Sequence, residues 1–195
     1  VQTYTNNAEN VIVEDGYLKI IAKADGSGGY TSARVKSQGL QKFTYGRIEA
    51  RAKLPAAQGT WPAIWMLGSN FPEVGWPHCG EIDIMEQTGQ DKNTVLGTLH
   101  WFESSTNANA SFGETTTEST TTSDFHLYSI EWNADEIIVL LDNVPYTTLA
   151  NNGNLPFNAD FFLILNIAMG GTLGGEIDSA FSQDTMEIDY IRVYQ

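Results

Sequence analysis

The chain has 195 residues, 42% hydrophobic and 11% aromatic, which suffices to bury one good core and form a single all-β domain. Its formal net charge of −14, from 24 acidic and 10 basic residues, sets up a field that repels nucleic acid, anionic membranes and polyanionic ligands. An uncharged ligand is compatible with it, as is a plain role in solubility; one cysteine, Cys79, excludes an intrachain disulfide, and no apolar run reaches transmembrane length.

The predicted elements are strands. Leu18, Ile20 and Ala22 alternate with Tyr17, Lys19 and Ile21, the period-two pattern of a half-buried strand. A second strand is expected over 30–37. Ile48, Ala50 and Ala52 then alternate with Arg47, Glu49, Arg51 and Lys53. Further strands are expected over 61–67, 80–86, 94–101, 125–132, 135–141 and 160–168. The last is marked by Ile188, Tyr190 or Ile191, and Val193. Turn signals such as Asp15-Gly16, Asp25-Gly26, Asp142-Asn143 and Asn152-Gly153 punctuate them. Ser104 to Ser123, rich in Thr, Ser and Asn, reads as a surface loop. No long helical period appears. Many strands and frequent turns predict a β-sandwich or jelly roll.

One stretch carries chemistry: Glu81-Ile82-Asp83-Ile84-Met85-Glu86. On a strand Glu81 and Asp83 share one face, and Ile82 and Ile84 share the other. Strict alternation sends Glu86 toward the core, where an unpaired carboxylate is very costly. A β-bulge near Met85 removes the conflict by turning Glu86 onto the acidic face. Glu81 and Glu86 are then about 13 Å apart along the backbone, at roughly 3.3 Å per residue, a gap that inclined side chains can close. Paired carboxyls about 5–5.5 Å apart suit a retaining glycosidase, one ionised to attack and one protonated to assist departure. An acidic solvent face is the bland alternative, although acids are depleted from strands and like charges on one face repel. Clustered carboxylates also bind calcium, but no Gly-punctuated ligand loop surrounds these.

Aromatic residues flank the cluster. Trp61, Trp65 and Trp76 precede it, and His100-Trp101 follows. Flat rings stack on the apolar faces of sugars. In Trp61-Pro62-Ala63-Ile64-Trp65 the two tryptophans share one strand face, while Ile64 and Met66 share the other. Both faces are then apolar, which leaves at least one tryptophan for the core. Trp65 and Trp76 are the expected cleft residues, with Trp61 a further candidate. His100 reads equally well as a cleft residue or a satisfied buried histidine.

These stretches, with Tyr45-Gly46-Arg47-Ile48-Glu49-Ala50-Arg51, Gly97-Thr98-Leu99-His100, Leu163 to Gly171 and Asp189-Tyr190-Ile191-Arg192-Val193-Tyr194, resemble glycoside hydrolase family 16. The likeness is to its laminarinase branch of endo-β-1,3-glucanases and covers nearly the whole chain in order. It implies a concanavalin-like jelly roll of two curved antiparallel sheets with a concave substrate cleft. It also implies a retaining double displacement, with Glu81 as nucleophile, Glu86 as acid/base and Asp83 assisting. By the same resemblance Trp65, Trp76, His100, Arg34 and Asn166 line the cleft. A structural calcium is implied too, with Asp189 and the carbonyl of Gly16 as matching ligands; Asp189 as an ordinary surface acid is the alternative.

The family usually carries a further stretch before the point where Val1-Gln2-Thr3-Tyr4 begins, so residues 1–195 are expected to be one catalytic domain without that outer strand. No signal peptide is evident. Secretion is expected because a polymeric glucan is met outside the cell. The expected partner is β-glucan, not nucleic acid or membrane, and the expected state is a monomer. Mixed-linkage glucanases, other galactan hydrolases and a lectin on the same fold are the alternatives; a lectin needs no such costly acidic triad.

Overall fold

A computed structural model describes residues 1–195. Fifteen strands and two four-residue helices build two packed sheets. The outer sheet takes β1 (Gln2–Tyr4), β2 (Val11–Glu14), β3 (Tyr17–Ala24), β4 (Tyr30–Ser32), β6 (Gly46–Lys53), β11 (His126–Trp132), β12 (Glu136–Leu141), β13 (Val144–Ala150) and β15 (Gln183–Tyr194). The cleft sheet takes β5 (Arg34–Lys36), β7 (Thr60–Gly68), β8 (Glu81–Gln87), β9 (Thr94–Glu103), β10 (Ala108–Thr117) and β14 (Phe161–Met169). Its order is β10-β9-β8-β7-β14-β5, so β8 and β7 lie at the centre. Every pairing is antiparallel except that of β1 with β4. The jelly-roll expectation holds.

Alternation builds the core. A cluster of 28 buried residues fills the space between the sheets. It takes Ile48, Ala50 and Ala52 from β6, and Leu163, Leu165, Ile167 and Met169 from β14. The opposite face of β14 is buried too: Phe162 and Ile164 join Leu67 and Cys79 in a second cluster, with Trp65 packed against it. An apolar floor therefore underlies part of the cleft. Gly80 enters β8 with φ +78°, and a Cβ there would lie 2.9 Å from the Phe161 ring. Only glycine takes that conformation at so close an approach.

Two expectations need correction. The single strand over 30–37 is two strands in different sheets, parted at the buried Ala33. The supposed loop over 104–123 contains β10, paired residue for residue with β9 from Ala108↔Glu103 to Thr117↔Thr94. β10 is an edge strand whose side chains are exposed or half-buried, so no apolar alternation announced it. Its backbone ladder and its β-branched threonines hold it in place.

Candidate active site

The cleft is built on β8. Opposite β9, Asp83 pairs with Thr98 and Glu86 with Leu96, so Ile84 and Met85 together face one residue, Gly97. Opposite β7, Met85 pairs with Ile64 and Asp83 with Trp65, which leaves Ile84 without a partner. This is the bulge that the carboxylate spacing predicts. Ile82, Ile84 and Met85 all point into the core, while Glu81, Asp83 and Glu86 line one cavity of ≈ 340 Å³ on the other face.

The outer sheet stitches the bulge. Tyr146 on β13 donates from its hydroxyl to the Ile84 carbonyl at 3.2 Å. It passes through the space left by Gly97, where a Cβ would lie 2.8 Å from the same hydroxyl. The next residue, Thr147, donates to the Gly97 carbonyl at 3.0 Å. Sequence reasoning missed both residues; a glycine inside a strand is the one signal that pointed there. Replacing Tyr146 by Phe removes one bond to an irregular carbonyl and should cost about 1–2 kcal/mol in urea unfolding. A loss below about 0.5 kcal/mol would mean that the bulge holds itself.

The side chains around the acids are fixed by specific bonds. Trp61 Nε1 donates to Glu86 Oε1 at 2.8 Å. Trp65 Nε1 donates to Asn166 Oδ1 at 2.9 Å, and Asn166 is itself buried. Trp61 and Trp65 both line the cavity. Both are half-buried; Trp65 also packs against the cluster of Leu67, Cys79, Phe162 and Ile164, while Ile64 and Met66 on the opposite face of β7 belong to the main core. Arg34 lies on β5 with its guanidinium 4.6 Å from the Tyr4 ring centre and 5.4 Å from that of Trp65. A second cavity, lined by Arg34, Trp65, Phe71, Trp76 and Glu81, shares a wall with the first. The cleft thus extends to both sides of Glu81. Trp76 is 48% exposed at its edge.

His100 sits directly across from Glu81 in the β8–β9 ladder. Its Nε2 lies 3.2 Å from Asp83 Oδ2 and 3.9 Å from Glu81 Oε1. The shorter approach lacks hydrogen-bond direction, so Asp83 Oδ2 is buried with no donor. Gly16 and Asp189 lie elsewhere, Gly16 in the turn between β2 and β3 and Asp189 on β15, where its Oδ2 accepts from Arg51 at 2.6 Å.

Burial raises the proton affinity of all three acids, and repulsion between neighbouring carboxylates adds to it for Glu81 and Asp83. Burial is the largest cause for Asp83, followed by the Glu86 charge. Burial also raises Glu86, against the Trp61 N–H and the His100 charge. Glu81 is pushed up to about 8, first by burial and then by Asp83, with His100 opposing. The Asp83 contribution disappears once Asp83 itself is protonated, so the acids titrate as a unit and Glu81 ionises more readily when Asp83 holds the proton.

This has a consequence for stability. Well below their ordinary values of 4.5 for glutamate and 3.8 for aspartate, these acids are protonated whether the chain is folded or not. As pH rises from 4.5 toward about 8, the unfolded chain ionises first, and folding stability falls. Glu81→Gln should therefore stabilise the fold at pH 8 by at least about 1 kcal/mol and do little at pH 4. Thermal unfolding at the two pH values measures this; an equal change at both would remove titration as the cause.

The family model described as "Glycosyl hydrolases family 16" matches residues 1–192. A "Beta-glucanase" of Rhodothermus marinus is 38% identical over 211 aligned residues, covering 100% of this chain and 74% of that protein. A "Glucan endo-1,3-beta-glucosidase A1" of Niallia circulans is 36% identical, covering 100% of this chain but only 32% of its own length. Among solved structures, LamA of Zobellia galactanivorans, a variant in complex with laminaritriose and laminaritetraose, superposes with TM-score 0.91 at 46% identity. That match covers 100% of this chain and 84% of the other.

Proposed function

The chain belongs to glycoside hydrolase family 16, and from that premise we propose that it cleaves internal β-1,3 linkages of a laminarin-type glucan with retention of configuration. The observation that carries the reading is the bulge in β8. It brings Glu86 onto the face of Glu81 and Asp83, in the cavity walled by Trp61 and Trp65. The names of the relatives support the same substrate class.

In this mechanism a glucan lies along the cleft with sugar faces against Trp65 and Trp76 and hydroxyls toward Arg34 and Asn166. Glu81 attacks the anomeric carbon, and Glu86 gives its proton to the departing glycosidic oxygen. Glu86, now ionised, takes a proton from water, which attacks the same carbon and releases Glu81. The Trp61 N–H steadies Glu86 while it is charged, and burial favours its return to the protonated form. Asp83 is the deepest of the acids. Protonated, it offers Glu81 a hydrogen-bond donor and keeps the nucleophile ionised.

Reducing ends released from laminarin test the reading, with lichenan and agarose as comparison polymers. Proton NMR of the first product should show the β anomer. An early α anomer would rule out double displacement, and binding without release would favour a lectin. The acidic net charge supports a neutral polymer over a sulfated one. Export and a monomeric state complete the proposal; no helix is long and apolar enough to cross a membrane.

For calcium, Asp189 and Gly16 would hold at most a weakly bound, largely hydrated ion. Asp189 offers one oxygen beside the one bound to Arg51, and Gly16 offers a carbonyl, well short of the six to eight oxygens calcium takes. Its role would be to pin β15 against the turn before β3. At 10 mM calcium and a Kd of about 1 mM the gain is about 1.4 kcal/mol, seen as a rise in Tm that EDTA reverses and Asp189→Ala abolishes. A Tm indifferent to calcium would remove the site.

A further inference from the structure

We propose that Glu81, Asp83 and His100 form a three-point site for a divalent transition metal of the zinc class, and that metal and substrate exclude each other from the cleft. Glu81 and His100 oppose each other across β8 and β9, and Asp83 stands two residues along on the same face. One ligand atom from each lies within 4.8 Å of the others. The separations from His100 Nε2 are 3.2 Å to Asp83 and 3.9 Å to Glu81. Tetrahedral zinc, with bonds of about 2.0–2.1 Å, keeps its ligands roughly 3.3 Å apart. The separation of His100 from Asp83 is already close to that spacing and that from Glu81 needs a shift of about half an ångström, on two neighbouring strands of one ladder.

The second observation is Asp83 Oδ2. Asp83 is 4% exposed, and this oxygen meets no hydrogen-bond donor. His100 Nε2 comes within 3.2 Å of it without making a directed hydrogen bond. With its proton gone, the ring nitrogen leaves two lone-pair donors facing one gap, which a cation can join. An imidazole with two carboxylates suits zinc and its neighbours, whereas calcium and magnesium prefer larger sets of oxygens. His100 and Glu81 retain 30% and 18% side-chain exposure, so an ion can enter from the cleft and the fourth corner faces it.

The functional half rests on the reading of Glu81 as nucleophile, because a metal on its carboxylate occupies the lone pairs that would attack. Calorimetric titration of zinc chloride into the full chain, in a buffer free of chelators and phosphate, should show one ion per chain with Kd on the order of 1–10 μM. His100→Ala and Asp83→Asn should each weaken binding at least about tenfold, and His78→Ala should leave it within about twofold. His100→Gln, which keeps bulk at the site, gives the same loss if the alanine variant does not fold. Zinc should raise KM for laminarin with kcat unchanged, and EDTA should restore it. No binding up to millimolar zinc, or one-to-one binding indifferent to both His100 variants, overturns the site. If laminarin is not cleaved at all, the calorimetry still decides the metal site, so the two readings fail separately.

Discussion

Glu81→Gln should lose at least about 10⁴-fold in kcat/KM on laminarin, close to 5.4 kcal/mol of transition-state stabilisation at 1.36 kcal/mol per decade. Glutamine keeps the shape of the side chain but cannot form the glycosyl ester, so KM should change little. The variant should gain stability at neutral pH as it loses activity, because one buried, repelled carboxylate is gone. Glu86→Gln should differ in kind. It removes the proton donor, so the loss is severe on the polymer and much smaller on an aryl glycoside whose leaving group needs no proton. Azide should then replace water and return a β-linked azide product. Glu81→Gln retaining more than a tenth of wild-type activity would sink the assignment of the nucleophile; a β-linked azide product from Glu81→Gln in place of Glu86→Gln would mean that the roles are reversed, whereas an α-linked azide from Glu81→Gln would agree with the assignment.

Phe161→Ala should cost about 3–5 kcal/mol, the range for emptying a fully buried aromatic site. Phe161 is 0% exposed. Its ring meets Trp132 edge-on at 5.4 Å and Phe157 at 6.1 Å between centroids. Gly80, at the entry to the acid-bearing strand, sits against the same ring. With about 2–4 °C of Tm per kcal/mol for a chain of this size, Tm should fall on the order of 10 °C. Two rigid neighbouring rings leave little scope for collapse into the space. A cost below about 1.5 kcal/mol, measured by denaturant titration, would mean that the core relaxes around the hole.

Much of this molecule is legible in its sequence, for reasons that individual residues make clear. The strands with one wet face announced themselves by alternation, as β6 does with Ile48, Ala50 and Ala52. The bulge followed from a conflict: a carboxylate cannot sit beside Ile82 and Ile84 in the core, so Glu86 had to turn outward. β10 stayed hidden because neither of its faces is buried enough to impose a pattern. Trp61 was hard to place because core and sugar platform demand the same residue type, and only the bond to Glu86 separates them. Tyr146 was out of reach altogether. It lies 62 positions beyond Ile84 on another sheet, and no local rule connects them.

The extra residue in β8 also makes the parity of the acid spacing informative. On an unbroken ribbon, acids share a surface only at even offsets; here the outer pair are separated by five positions, an odd number made possible by the insertion. A chain of the same architecture whose outer acids are offset by four instead of five would need no kink, and nothing like the Tyr146 tether to hold one. Counting that interval in any related sequence therefore forecasts whether its reactive ribbon is straight or bent, before any coordinates are known.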